Sequence, residues 1–473
     1  MNSVASAIQR LDALADSAPV ARLAQAFAAA GRELALVGGP VRDAFLGRDL
    51  TDLDFTTDAR PDEILRIVKP ISETQWDIGR EFGTIGAIIA GETVEITTYR
   101  ADSYDPDSRK PTVEFGDTLE GDLARRDFSV NAMALRLPGR VLVDPSGGMD
   151  DLLAARLRTP GPPEVSFGDD PLRMLRAARF TSQLGFTAAP ETVAAMAELA
   201  PRIEIVSVER VAAELTKLLM SAAPRAGIQL LVDTGLAELV LPEVPALRLE
   251  IDEHAHHKDV YEHSLTVLEQ AIGYERSRGH EPDLVLRIAA LLHDIGKPST
   301  KRVEAGGAVS FHHHDVVGAK LAAKRLRALH FDKETITAVA RLIELHLRFF
   351  GYTEGAWTDS AVRRYVRDAG PLLERLHILT RADVTTRNRR KADRLGFAYD
   401  DLEERIAAIA EAEGVAAVRP DLDGERIMEI LGIRPGREVG EAYRFLLEMR
   451  LDEGPLGEVE AERRLRAWWA ARA

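Results

Sequence analysis

The hydrophobic positions give the chain two textures. Up to about residue 150, short apolar runs of strand character alternate with amphipathic ones. Beyond 151 almost every apolar pattern has helical spacing. Residues 1–30 predict one helix, with Leu11, Leu14, Val20, Leu23 and Phe27 near helical spacing. "ELALV" (33–37) predicts a strand that runs into Gly38-Gly39. "PVRDAFLG" (40–47) predicts a short helix with Pro40 in its first turn and Gly47 past its end. "LTDLDFTT" (50–57) alternates apolar and acidic residues with period two and predicts a strand. "ARPDEILRIVK" predicts a helix, and residues 83–100 a hairpin turning at Gly91. Residues 101–124 carry Pro, Gly and Asp and predict a long loop. "DPLRMLRAARFTSQLGF", "ETVAAMAELA", "SVERVAAELTKLLM" and "PRAGIQLLVDTGLAELVL" predict successive helices, and 255–473 is expected to be helical too. The fold class expected is α+β, a small mixed head followed by a long all-α body.

Composition narrows this picture. With 473 residues, several domains are expected, and no run of 18 apolar residues suggests a membrane span. The N-terminus lacks the basic start and apolar core of a secretory signal, so a cytoplasmic location is expected. There is no Cys, which excludes a disulfide framework, thiolate metal sites and a Cys nucleophile. A net charge of -15 argues against a nucleic-acid partner, yet 61 Lys and Arg residues allow a local basic face. "TRADVTTRNRRKADR" (380–394) and "AERRLRAWWAARA" (461–473) are two such stretches. They suit either an RNA grip or a solvated helix with its Trp pair turned inward.

The chemistry concentrates in a few places. Asp52 and Asp54 are two apart on an expected strand, so both carboxylates share one face. Such a pair repels itself unless a cation intervenes, and hard oxygen ligands suit Mg²⁺ together with substrate phosphates. Gly38 and Gly39 allow close approach of backbone N–H groups to a phosphate, and Arg42 lies one turn into the next helix. Glu95 alternates away from the apolar Val94 and Ile96 and is a third carboxylate. Alone, the acidic pair reads as a solvated strand face and the glycines as a turn; their coincidence in one small domain favours the chemical reading. Further on, Asp170 and Arg173 share a helix face behind Pro171, offering an acceptor and a fork of donors to a base edge, or a cap with a helical ion pair. Asp127 with Arg125 and Arg126 suits ribose hydroxyls and phosphates, or a capped surface helix. All 12 histidines fall between His254 and His377. Asp259 and Glu262 start a helix that places His263 early, and His293-Asp294 ends a buried helix closed by Gly296 and Pro298. Imidazoles and carboxylates from several helices suit a divalent metal.

These segments carry a resemblance. "GGPVRDAFLGRDLTDLDFTT", "RRDFSVNAMAL" (125–135), "DPSGGMDDLLAARLRT" (144–159), "DDPLRMLRAARF" (169–180) and "SVERVAAELTKLL" (207–219) are similar, in order, to the five motifs of the class II CCA-adding tRNA nucleotidyltransferases and bacterial poly(A) polymerases, within the polymerase-beta-like superfamily. The resemblance implies Asp52, Asp54 and Glu95 as catalytic residues, with Asp52 and Asp54 holding Mg²⁺. It implies nucleotide binding by Gly38, Gly39, Arg42, Arg125, Arg126, Asp127, Asn131, Asp169, Asp170, Arg173, Arg176 and Arg179; the family usually has Glu where this chain has Asp169. The order His…His-Asp…Asp resembles the HD-domain phosphohydrolases and implies His263, His293, Asp294 and Asp383 as a metal set. His314 and His346 match the histidines of members with a second metal; His314 is preferred over His312 and His313 because it precedes Asp315-x-x-Gly318. The expected domains are a head (1–150), a helical neck and RNA-binding region (151–250), an HD domain (251–390) and a helical tail (391–473). The expected partners are the tRNA acceptor end, CTP and ATP, with neither a membrane nor an obligate protein partner. The function implied is template-independent addition of C and A to tRNA 3′ ends. The alternatives are A-only, CC-only or poly(A) addition, or an HD phosphohydrolase as the main activity.

Overall fold

The computed structural model describes residues 4–49, 53–100, 115–248, 259–304, 309–349, 351–352, 357–385, 388–413 and 419–472. The chain forms two compact units, Met1–Pro242 and Glu243–Ala473.

The first unit opens with α1 (Val4–Asp16) and α2 (Ala18–Ala29). The single helix expected over 1–30 is two helices, because Pro19 has no N–H and is accommodated only in a first turn. The chain breaks at Ser17, which is extended with φ −60° and ψ 148°. β1 (Leu34–Val37), α3 (Gly39–Leu46), β2 (Leu53–Thr57) and α4 (Pro61–Val68) follow. β3 (Thr74–Trp76), β4 (Thr84–Ile89), β5 (Glu92–Thr98), α5 (Leu119–Ala124), β6 (Ala134–Leu137) and β7 (Val141–Val143) complete the head. The strands make one 7-stranded sheet in the order β3-β4-β5-β2-β1-β6-β7. β2 and β5 are parallel and the other pairs antiparallel. The β4–β5 turn has positive φ at both Ala90 (52°) and Gly91 (81°), the geometry of a tight two-residue hairpin. Of the loop expected at 101–124, residues 101–114 lie outside the described residues. Its end is helix instead: the Thr118 side chain accepts from Gly121 N and starts α5.

The register of β2 and β5 is fixed by burial. Leu53, Phe55, Val94 and Ile96 are buried, while Asp54 is half-buried and Glu95 exposed. A slip of one residue would turn four apolar side chains to water, at roughly 1.5–3 kcal/mol each, and turn the carboxylates inward. On the carboxylate side of the sheet, α5 covers β1 and β6 through a cluster of Ala35, Val37, Leu119, Leu123 and Ala134.

Helices then take over: α6 (Gly148–Leu153), α7 (Pro163–Asp169), α8 (Leu172–Leu184), α9 (Pro190–Leu199), α10 (Val208–Leu219), α11 (Pro224–Asp233) and α12 (Leu236–Val240). α8 packs on α10 and α11. A Cβ on Gly227 would sit 2.3 Å from the Ala178 carbonyl, so only glycine permits that helix crossing. Strand structure persists past residue 151 as a two-residue parallel pairing of Arg156–Leu157 with Thr187–Ala188.

The second unit is built on α13 (Val260–Ser277), α14 (Leu284–Leu292), α15 (Lys297–Thr300), α16 (His314–Ala328) and α17 (Lys333–Leu345). Helices Asp359–Ala369, Leu373–Ala382, Arg389–Glu413, Gly424–Leu431, Arg437–Glu453 and Glu458–Ala470 complete it. Arg302–Val303 pairs with Val309–Ser310 in a short hairpin. The C-terminal basic stretch is neutralised: Arg463, Arg464, Arg466 and Arg472 all pair with glutamates. Trp468 stacks on Phe445 at 4.7 Å. Among the described residues no helix is long and apolar enough to cross a membrane.

Candidate active site and metal cluster

Parallel pairing of β2 with β5 puts Asp54 in register with Glu95. Cross-strand partners project to the same face, on strands about 4.8 Å apart, so the two carboxylates are neighbours. Asp52 lies outside the described residues. The end of β1 brings the glycine turn alongside. Gly38 has φ 73°, a conformation glycine adopts without strain. A Cβ on Gly38 would lie 3.3 Å from Arg126 Nη1, so the guanidinium lies against the turn. Arg126 donates to Asp122 of α5 at 3.2 Å, and the Asp122 carboxylate also accepts from Arg100 N at 3.2 Å. Arg125 pairs with Asp122 at 3.8 Å.

A chain of polar groups runs from this turn into α8. Arg42 is buried; its guanidinium donates to both oxygens of Asp43 (2.9 and 2.8 Å) and to Asn131 Oδ1 (2.6 Å). Asn131 Nδ2 donates to Asp127 Oδ1 at 3.0 Å. Phe128 N donates to the same oxygen at 2.8 Å, and Arg176 Nε to Asp127 Oδ2 at 2.9 Å. Burial opposes ionisation of Asp127, but Arg176 and the Asn131 hydrogen bond outweigh it and hold the carboxyl well below its usual range. Beyond Arg176, Glu214 of α10 lies 3.9 Å from Arg176 and 2.8 Å from Arg179 Nε. The Arg42, Arg176 and Arg179 guanidiniums all lie over the Phe180 ring, at 5.5, 5.5 and 4.2 Å.

α8 starts at Leu172, with Asp170 as the hinge between it and α7. Asp170 Oδ1 accepts from Leu172 N and Oδ2 from Arg210 of α10, both at 3.2 Å. Arg173 is buried and donates to Ser166 Oγ at 2.9 Å and to the Arg125 carbonyl at 2.7 Å. The acceptor and the donor expected to act together are thus held by separate partners, one on the neck helix and one on the head. Asp169 ends α7, half-buried.

In the second unit the six expected ligands converge. A Cβ on Gly296 would lie 2.1 Å from the His314 carbonyl, so glycine lets the end of α14 close onto the start of α16. His263, His293 and Asp383 form one group of donor atoms, and Asp294, His314 and His346 a second, each within 4.8 Å. Asp294 joins them: Oδ2 lies 3.3 Å from His293 Nε2 and Oδ1 3.3 Å from His314 Nε2. Every ring is aimed by its other nitrogen. Nδ1 of His293, His314 and His346 meets the carbonyls of Ala290 (2.9 Å), Phe311 (2.8 Å) and Ile343 (2.6 Å), and His263 Nδ1 meets Thr385 Oγ1 (3.0 Å). Histidines that ligate metals are oriented in this way. Burial lowers His346 to about 4, whereas at His293 Asp294 and Asp383 overcome burial and raise it to about 10. This donor set fits divalent metal. Among the three consecutive histidines, His314 joins the cluster, and exposed His312 faces Glu304 at 3.9 Å.

Three residues of this machinery escape a reading by motif: Asp43, Asp122 and Glu214. Asp122 lies in α5 and Arg126, four residues on, lies just past its end, a signal hidden by the loop expected there. Glu214 lies inside a recognised motif, but only the packing of α10 on α8 shows that it faces two arginines.

Three family descriptions match the chain: "Poly A polymerase head domain" over residues 34–158, "Probable RNA and SrmB- binding site of polymerase A" over 185–247, and "HD domain" over 260–388. An A-adding tRNA nucleotidyltransferase of Deinococcus radiodurans is 36% identical over 449 residues, 92% of this chain and 95% of that one. A CCA-adding enzyme of Bacillus subtilis is 45% identical over 210 residues, 44% of this chain and 52% of that one. The match thus spans about half of the Bacillus relative. Among solved structures, the Bacillus stearothermophilus CCA-adding enzyme in complex with CTP aligns over 100% of this chain and 99% of its own, with TM-score 0.70 and 25% identity. The Thermotoga maritima CCA-adding enzyme complexed with tRNA shares the fold at TM-score 0.62 and 18% identity, covering 99% of each chain.

Proposed function

The chain belongs to the family of tRNA nucleotidyltransferases that join a poly(A)-polymerase head to an HD domain, and from this we propose that it builds the CCA end of tRNA from CTP and ATP, releasing pyrophosphate. The observation that carries this reading is the in-register pair Asp54–Glu95 beside the Gly38 turn and Arg126. A divalent cation, Mg²⁺ in this reading, neutralises the triphosphate and acidifies the tRNA 3′ hydroxyl when bound. Asp52 and Asp54 would hold it, with Glu95 as the third, supporting carboxylate beside the attacking hydroxyl. Gly38, Gly39, Arg42 and Arg126 take the phosphates. Asp127, Asn131, Arg176 and Arg179 hold the wall between head and neck, where Asp127 and Asn131 meet the ribose. Asp170 and Arg173 offer an acceptor and donors to the Watson–Crick edge of C or A. A tRNA substrate fits a cytoplasmic place of action.

Arg173→Ala is expected to blunt the preference for CTP and ATP over UTP and GTP by about 10-fold or more, because lost base-edge hydrogen bonds cost roughly 1–3 kcal/mol. Rates with each nucleotide alone measure it, and unchanged ratios count against a base-reading role.

A second reading, A-only addition, is favoured by the long match to the A-adding Deinococcus enzyme. For the second unit we propose an accessory divalent-metal site on the two joined clusters. The paired variants Asp54→Ala and His293→Ala test the assignment. Asp54→Ala is expected to lose nucleotide addition and keep tRNA binding. His293→Ala is expected to keep addition and lose the metal of the HD cluster, read by elemental analysis. The reverse pattern would move the main activity to the HD region.

A further inference from the structure

We propose that Trp76 is the stacking platform for the 3′-terminal nucleobase of the tRNA acceptor end, an assignment that rests on the nucleotidyltransferase reading above. Sheet register is the first observation. Trp76 pairs with Gly86, Gly86 with Glu95, and Glu95 with Asp54. Cross-strand partners share a face, so one row of residues crosses four strands from the sheet edge to the carboxylates. Gly86 leaves a gap in that row and the indole fills it: a Cβ on Gly86 would lie 2.1 Å from Trp76 Cε2 and 2.2 Å from Nε1. The indole therefore lies across β4, beside Glu95. Trp76 is half-buried and Glu95 exposed, so this part of the face is open to a ligand.

The chemistry says which ligand. Displacement at the α-phosphorus places the attacking hydroxyl and the leaving pyrophosphate on opposite sides. The Gly38 turn and Arg126 lie on the β1 side of Asp54 and take the pyrophosphate. The hydroxyl then enters from the β4 side of Glu95. The base on the same ribose comes to rest over β4 and β3, where the indole is the floor. An aromatic ring also suits a primer whose terminal base changes with each addition, because every base has a π-face. Filling the space over a strand glycine is the other role open to a tryptophan at this position, and the two roles separate experimentally.

The test uses the full chain and a tRNA lacking its CCA, with 2-aminopurine as the 3′-terminal base. The wild type and Trp76→Phe are expected to quench its fluorescence on binding, and Trp76→Leu is not. Trp76→Leu is also expected to raise the KM for tRNA on the order of tenfold, with CTP affinity and unfolding temperature unchanged; tenfold corresponds to about 1.4 kcal/mol, within the range for base–aromatic stacking. Wild-type quenching and KM in Trp76→Leu overturn the assignment. A parallel loss of CTP affinity or of fold also overturns it, by making Trp76 a cover for Gly86 alone. A wild-type protein that extends no tRNA would instead defeat the functional reading itself, so the two failures are distinguishable.

Discussion

Replacing Glu95 by glutamine is expected to slow nucleotide addition by about 10³-fold or more, while tRNA binding and the unfolding temperature stay at wild-type values. Metal-assisted stabilisation of a phosphoryl transition state supplies several kcal/mol, and about 4 kcal/mol corresponds to 10³ in rate. Glu95 can be lost without harm to the fold because it is exposed on the face of β5 opposite Val94 and Ile96, which carry the packing. Glutamine keeps the shape and hydrogen-bonding reach of glutamate and removes only its charge. Single-turnover extension with saturating tRNA isolates the chemical step from binding. A rate within tenfold of wild type would remove Glu95 from the reacting centre.

The second large effect is expected at Asp127. Its carboxylate is 9% exposed and joins Arg176, Asn131 and the backbone of Phe128. Asp127→Ala leaves a partly buried guanidinium and two further donors without their acceptor. The expected cost is roughly 2–4 kcal/mol, below the figure for a fully buried pair because Arg176 retains some solvent. At about 2–4 °C per kcal/mol, the transition of the first unit drops by roughly 5–15 °C in a calorimetric scan. The sign of the pH dependence follows from the depressed pKa. The contribution of Asp127 is fully present above its unfolded value of about 3.9 and is lost as pH falls from there toward the folded value. The gap in stability between wild type and Asp127→Asn is therefore expected to be constant from pH 5 to 7 and to narrow below pH 4. A constant gap down to pH 2 would contradict the pairing with Arg176.

Much of the site is legible in the sequence because its chemistry sits on regular elements. Period-two alternation around Asp54 and Glu95 places them on a common face without any knowledge of strand order. The helix stop at Gly296-Lys297-Pro298 places His293 and Asp294 at the end of a buried helix. Strand order is a different matter. Nothing local says that β2 pairs with β5 in parallel while β1 pairs with β6, and β6 and β7 were hidden inside a stretch read for its motif. Their signal was present: two short apolar runs, Ala134–Leu137 and Val141–Val143, flank Pro138-Gly139, a hairpin pattern. β3 has three residues, too few for any periodicity to register. The break at Ser17 was announced by Pro19, whose effect on the helix ladder outweighs the apolar spacing that runs through it. Partner assignments were the least accessible. Asp170 and Arg173 are three apart, a spacing that suggests a mutual pair on one helix, yet Asp170 is extended ahead of α8, α10 supplies Arg210 to it and α7 supplies Ser166 to Arg173.

The central claim is that the head builds a complete CCA end by selecting C and then A. The most direct measurement supplies purified protein with tRNA transcripts ending before the first C, after C and after CC, with each nucleotide alone and with CTP and ATP together. The expected result is incorporation of C, C and A in order, with A added alone only to the transcript ending in CC. Extension of that transcript by A, with no C added to the shorter ones, would show A-only addition and contradict the claim.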